Sequence, residues 1–212
     1  MYGLQRSGTN YLEALLTLNY PDVQFVNGVV RHEITHKHFR LYPEKNIIPE
    51  PKFANKVIVN DLASFESQLP FSPPDLYLVV SKDPVSWYSS YINWSRKNNW
   101  PPHAHHYIDE YNLFYGMWRK LATETDRIVC VRYDDLLRSP ESIVQQIGAK
   151  LGYPPLRNFR DARKVYASRR FTKEKKEAHL SGAYKQVLCA EELETIRSLA
   201  DRSLLDFLGY RI

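Results

Sequence analysis

Two cysteines in 212 residues, with no C-x-x-C pair, leave this chain without a disulfide framework or a thiolate metal cluster. Cys130 sits inside an apolar run, Ile128-Val129-Cys130-Val131, and reads as a small buried hydrophobe. The sequence also lacks a hydrophobic run long enough for a bilayer, and its mean hydropathy is −0.48. With no signal-peptide pattern either, the expectation is a cytoplasmic protein with no membrane segment. Charge of one sign is not overwhelming. The net +5 fits an anionic ligand and would also fit weak nucleic-acid contact; no nucleic-acid partner is expected. Low-complexity stretches, repeats and linkers are absent, so residues 1–212 read as a single domain of ordinary core size.

The most telling deficit is in the opening stretch, Tyr2-Gly3-Leu4-Gln5-Arg6-Ser7-Gly8-Thr9-Asn10. A nucleoside-triphosphate loop follows G-x-x-x-x-G-K-[ST], with Lys on the outer phosphates and Ser/Thr on Mg²⁺. Gly3 and Gly8 keep the glycine spacing, but Thr9 stands where the Lys belongs, and Arg6 is the loop's cation. Backbone N–H groups at a helix N-terminus still suit a phosphate. The machinery that works on a γ-phosphate through Mg²⁺ is missing. Only Met1 to Leu4 precede the turn, so the first strand is either very short or begins upstream of this sequence.

Along the chain, strand-like and helix-like segments alternate. Helical spacing is expected over Thr9–Leu18, Pro84–Trp94, Tyr107–Ala122, from Ser139 to Gly152, and over Glu191–Phe207. Asp61 is placed to cap a short helix reaching about Leu69. Short apolar runs at Lys56–Asn60, Leu76–Val80 and Arg127–Arg132 read as buried strands, and Val23–Arg31 as a strand with a turn at Asn27-Gly28. Residues 32–55 and 157–185 read as irregular. Trp87 and Trp118 read as core, while Trp94 and Trp100 lie near polar loops where they could stack on a ring. The alternation implies α/β architecture, a central parallel sheet covered by helices on both faces. Ligands in such sheets bind beyond the carboxyl ends of the strands. Arg6, Asp61, Lys82 and Tyr133 all follow predicted strands.

Three motifs in order resemble the sulfotransferase family that uses 3′-phosphoadenosine 5′-phosphosulfate (PAPS). Gln5-Arg6-Ser7-Gly8-Thr9-Asn10 resembles its 5′-phosphosulfate loop. Val79-Val80-Ser81-Lys82-Asp83-Pro84 with Ser90-Tyr91 resembles its 3′-phosphate strand-loop-helix. Arg132-Tyr133-Asp134-Asp135-Leu136, then Ser139-Pro140 and Leu151-Gly152-Tyr153-Pro154, resembles its R-Y-E-D-L…P…L-G-x-P segment. The resemblance spans most of residues 2–154 and implies a three-layer P-loop-like fold, transfer of a sulfuryl group, adenosine 3′,5′-bisphosphate as product, and no metal. It implies that Gln5, Arg6, Ser7, Gly8, Thr9, Asn10, Lys82 and Ser90 hold the nucleotide. Arg169 and Arg170, in a basic run, stand roughly where relatives carry K-x-x-x-G-x-x-G, a motif this chain lacks; Lys82 stands where Arg is usual.

Sulfuryl transfer, like phosphoryl transfer, rests on positioning and electrostatics, and Arg6 is the expected catalytic cation. For the base, His32 is preferred for its near-neutral titration; it resembles the histidine of a Lys-His pair in small relatives. Asp61 is the second candidate, with a helix N-cap as its alternative role, and His36 and His38 follow. The polar, His-rich residues 31–50 favour a small-molecule or carbohydrate acceptor. The readings weighed against this one are a P-loop kinase or hydrolase and a non-catalytic nucleotide- or glycan-binding module. Oligomeric state is not legible.

Overall fold

The computed structural model describes residues 1–30, 33–43, 59–99, 105–165, 169–170 and 172–212, without the side chains of residues 164, 165, 169, 170 and 185. Within these, the fold is mixed α/β around a small parallel sheet. Strand β1 (Tyr77–Ser81) pairs with β2 (Ile128–Arg132) in the register Tyr77 to Ile128 through Ser81 to Arg132. The N-terminal segment joins the other edge of β1: Tyr2 N–H donates to Leu78 O at 2.7 Å and Val80 N–H to Tyr2 O at 2.8 Å. Beyond β2, β3 (Lys164–Val165) and β4 (Arg169–Arg170) form a minimal antiparallel pair.

Side chains alternate across a strand, and β1 uses this to join two apolar clusters. Tyr77 and Val79, with Tyr2 and Leu4, enter one cluster, and Leu78 and Val80 enter the other. The first cluster is covered by α2 (Leu62–Glu66), α3 (Pro84–Lys97), α4 (Tyr107–Leu121), α8 (Ala190–Leu199) and α9 (Arg202–Leu208). It is dense in rings: Trp87, Trp118, Tyr77, Tyr91, Tyr111, Tyr115 and Phe114 are fully buried. Expected as core, Trp87 and Trp118 are core. The second cluster is covered by α1 (Thr9–Asn19), α5 (Tyr133–Arg138) and α6 (Pro140–Lys150). The remaining helix, α7 (Lys173–Leu180), buries no side chain and is followed by a 3-10 turn over Ala183–Val187.

Several expected elements came out differently. Val23–Val30, the described part of the expected Val23–Arg31 strand, is not a strand; Arg31 lies outside the described residues. Gly28 N–H and Asn27 Nδ2 both donate to Thr35 O, closing a loop, and Val26, Val29 and Val30 stay exposed because no sheet face receives them. Lys56–Ile58 of the expected second strand lie outside the described residues, and Val59 and Asn60 are not in a strand. Residues 157–185, expected irregular, hold β3, β4 and α7; α7 starts on a Thr172 cap that accepts from Lys175 N–H, and its mostly charged sequence carries no apolar periodicity. The helix expected over Glu191–Phe207 is two, because Asp201 accepts from Leu204 N–H and opens α9. The strand-end segment Tyr133–Arg138 is helical. Cys130 is exposed: β2 buries Val131 and turns Cys130 outward.

A buried charge network ties residues 33–43 to this frame. Arg40 Nη2 lies 2.5 Å from Glu110 Oε2, whose other oxygen is 2.7 Å from His105 Nε2; all three side chains are at most 5% exposed. The Arg40 guanidinium also lies over the Tyr91 ring at 5.2 Å. Removing one partner of such a buried pair leaves an uncompensated charge. Glu110→Gln is therefore expected to cost about 3–5 kcal/mol in chemical denaturation, whereas Glu124→Gln, on the surface, changes stability by under about 1 kcal/mol.

Candidate functional site

The carboxyl ends of the N-terminal segment, β1 and β2 deliver Gln5, Lys82 and Tyr133 to one edge of the sheet. The turn after Leu4 is closed by Ser7 N–H donating to Leu4 O at 3.0 Å. Arg6 adopts φ 74°, a left-handed conformation sparse for a non-glycine residue, which is the kind of outlier that concentrates at functional turns. Gly8 follows at φ 105° and begins α1. A Cβ on Gly8 would fall 2.2 Å from the Tyr133 ring, and one on Gly3 would fall 2.7 Å from Val80 O. Both glycines are thus demanded by close approach, and at Gly8 by backbone conformation as well.

Helix α1 has no side-chain cap and no acidic residue in its first turn. The first amides of a helix have no intrahelical acceptor, and the helix dipole leaves them electropositive. Thr9 and Ser7 are buried; Gln5, Gly8 and Asn10 are partly exposed, and Arg6 is exposed. Gln5 is held through its carbonyl, which accepts from Trp87 Nε1 at 2.9 Å. The edge therefore gathers backbone donors beside the exposed Arg6, a set suited to an anion.

Lys82 is the second cation. Its Nζ donates to Ser90 Oγ at 2.8 Å, so the expected pair eight residues apart meets nearly two turns into α3. The ammonium also lies 5.3 Å from the centre of the Tyr133 ring. Burial first, and the charge of Arg6 second, bring the Lys82 pKa down to about 7 against the opposing pull of Asp134 and Asp83. Arg6 also acts on Tyr133, whose phenol burial pushes well up. Arg6, Lys82 and Tyr133 thus share one electrostatic environment.

Around them sits a network the sequence reading did not assign. Asp134 Oδ1 is 3.0 Å from His179 Nε2, and His179 Nδ1 is 3.3 Å from Ser86 Oγ. The His179 ring packs on Tyr133 and stacks on Tyr184. This pins α7 and the following turn beside Lys82. Asp134 directly follows the strand end; His179, about forty-five residues on, carried no local signal.

Of the candidate bases, His32 lies outside the described residues. Asp61 is not at the site. Its carboxylate accepts from Ser64 N–H at 2.7 Å in a capping box, it is exposed, and α2 sits by the start of the strands, where Glu66 bonds Tyr77 and Arg127. Those backbone and hydroxyl hydrogen bonds lower its pKa. Its capping role, the alternative given above, is the one seen. His38 is at the loop: Nδ1 lies 2.6 Å from Gly3 O. A carbonyl only accepts, so Nδ1 carries a proton, and in the neutral imidazole Nε2 carries the lone pair. Lys37, not singled out from sequence, accepts from Gly3 N–H through its carbonyl, and its Nζ donates to Asn10 Oδ1 at 2.8 Å and Glu13 Oε2 at 2.7 Å. The backbones of Arg169 and Arg170 form β4; their side chains lie outside the description. Trp94 packs against the core beside Tyr91, and Trp100 lies outside the described residues. Among the described residues no group of three or more His, Cys, Asp or Glu is placed to hold a metal ion, and no helix is long and apolar enough to cross a membrane.

No protein-family model matches this chain, and no curated protein matches it.

Two outcomes follow from the electrostatics. NMR titration of the Lys82 ammonium should show a midpoint near 7, moving upward in Arg6→Ala; an unmoved midpoint would mean the two charges do not interact. Between that midpoint and the ordinary lysine range, the unfolded chain holds a proton the folded chain has released, so Lys82 makes stability rise with pH across this window. Lys82→Met should flatten that part of the stability-versus-pH curve. Gly8→Ala should cost at least about 1–3 kcal/mol in a denaturant titration, from backbone strain and the Tyr133 clash.

Proposed function

We propose that this chain is a PAPS-dependent sulfotransferase, transferring a sulfuryl group to a hydroxyl or amine, on a three-layer P-loop-like fold. The observation that carries the reading is the pairing of an uncapped, lysine-free glycine turn bearing Arg6 with a Lys82–Ser90 cation site on the neighbouring strand end. A nucleotide with phosphates at both its 5′ and 3′ positions needs two anion sites on one sheet edge; a nucleoside triphosphate needs one site, with a lysine and a metal. Helices cover both faces of β1, which agrees with the three-layer assignment.

The donor supplies an activated sulfuryl group and a phosphate leaving group. The Gly8–Asn10 amides and Arg6 bind the 5′ end, and Lys82 with Ser90 the 3′-phosphate; Tyr133, against Gly8, fixes the floor between them. Arg6 opposes the negative charge that grows on the departing oxygen, a contribution concentrated in the transition state. His38 Nε2 is the described lone pair closest in chain and hydrogen bonding to the loop, and it takes the acceptor proton; His32 remains a candidate outside the described residues. A cytoplasmic setting belongs to this reading and agrees with Cys130 and Cys189, exposed and not disulfide-bonded.

Transfer of labelled sulfate from PAPS to a panel of acceptors tests the proposal. Arg6→Ala should lower turnover on the order of a hundredfold or more, and His38→Gln should remove the acidic limb of the pH–rate profile. Undiminished transfer by Arg6→Ala would overturn the mechanism.

A further inference from the structure

A cavity of about 710 Å³ lies along α1, within the size range of small-molecule sites. Residues 10, 13, 14, 17 and 18 of α1 line it, a spacing that puts them on one helical face. The groove runs from Asn10, in the anion-binding turn, to Leu18, about 12 Å at the rise of an α-helix. Lys37, Asp161, Ala162 and Arg163 complete the lining. Ala14, Leu18 and Ala162 are apolar, and the rest is polar or charged. Its charges do not cancel. Both carboxylates are occupied: Glu13 pairs with Lys37 at 2.7 Å and Asp161 with Lys176 at 2.6 Å, while Tyr11 Oη donates to the other Asp161 oxygen at 2.7 Å. Two arginines are not matched in this way. Arg163 is exposed in the lining. Arg160 is exposed at the Leu18 end, where its backbone N–H donates to Asn19 Oδ1 at 2.8 Å and its guanidinium to the Leu18 carbonyl. Among the described residues neither arginine has a carboxylate partner.

An ammonium entering this groove meets two arginines, with each carboxylate already engaged. An oxyanion finds two guanidiniums, whose fork of donors suits paired oxygens. We propose that the α1 groove binds the acceptor, and that the acceptor is an anionic alcohol, a hydroxyl compound carrying a second, negatively charged group. The charged group lies against Arg163, toward the Arg160 end, and the reacting hydroxyl lies at the Asn10–Lys37 end, where His38 is next in sequence. Placing the two at opposite ends keeps the acceptor's own charge away from the oxygens that gain charge during transfer. The position of the reacting hydroxyl rests on the sulfotransferase reading; the groove's preference for an anion does not. In the reaction the alcohol oxygen forms a bond to sulfur, the bond from sulfur to the 5′-phosphate oxygen breaks, adenosine 3′,5′-bisphosphate leaves with that electron pair, and the alcohol proton passes to the base.

The test uses the full chain with methyl glucuronide, methyl glucoside and the glucoside's primary-amine analogue, which carry a carboxylate, a hydroxyl or an ammonium at the same carbon. Binding is read by NMR on the backbone and methyl signals of Ala14, Thr17, Leu18 and Ala162. The glucuronide should bind about tenfold tighter than the glucoside, and the amine weakest. Arg163→Gln should weaken the glucuronide about threefold, and adding Arg160→Gln should bring it level with the glucoside, whose own affinity should hold. Adenosine 3′,5′-bisphosphate affinity should stay within about twofold in both variants, showing that they fold and that the loop is intact. Equal binding of glucuronide and glucoside, tightest binding of the amine, or a glucuronide preference that survives the double substitution would overturn the proposal. So would the absence of any glucuronide perturbation of the groove at about 20 mM. Arginine-dependent glucuronide binding without bisphosphate binding would keep the groove's chemistry and remove the sulfotransferase reading.

Discussion

Everything at the sheet edge depends on how closely the first residue of α5 approaches the glycine that opens α1. The Tyr133 ring occupies the space a Cβ on Gly8 would need, and Gly8 in turn takes a backbone conformation that side chains disfavour. That contact sets the distance between the loop and the end of β2. Because β2 is locked in register to β1, it also sets where Lys82 lies relative to Arg6. The ring then serves two neighbours more: it receives the Lys82 ammonium on its face and the His179 ring at its edge. One aromatic side chain thus couples the turn, the second cation and the covering helix α7.

The site built on this contact holds an unfavourable arrangement in reserve. Two cations share a small space, one of them buried deeply enough that it gives up its proton near neutrality. Asp134 and Asp83 offset part of this, but Asp134 is already paired with His179. Such an arrangement is stabilised by an incoming dianion and destabilised without one, which is how binding sites commonly differ from cores. The buried Arg40–Glu110–His105 network contrasts with it. There the charges are matched, and the result is anchorage: it holds the segment bearing Lys37 and His38 against the frame on which the loop is built.

Much of this was legible in the sequence because it rests on local rules. Glycine spacing, a basic residue at a strand end and a serine one helical stretch later are short-range patterns, and the structure brings Lys82 and Ser90 into contact. The apolar stripe of α4 and the continuous runs of β1 and β2 gave their elements for the same reason. What was missed depends on tertiary placement. Asp61 follows an apolar run as a catalytic residue would, but α2 lies by the amino ends of the strands. Val23–Val30 has strand composition, but among the described residues no sheet edge receives it. Lys37 and His179 reach the site through loops and a polar helix, whose sequences carry no periodicity. Cys130 lies in an apolar run, yet β2 alternates, and among the described residues it is the outward, exposed one.

The most direct measurement is calorimetry of the intact chain with adenosine 3′,5′-bisphosphate and, separately, with ATP and Mg²⁺, repeated across pH 6 to 9. Two cations on one sheet edge, with no metal-holding cluster among the described residues, predict binding of the bisphosphate with proton uptake above the Lys82 midpoint and an affinity that falls as pH rises. Tight binding of ATP with Mg²⁺ and none of the bisphosphate would contradict the account.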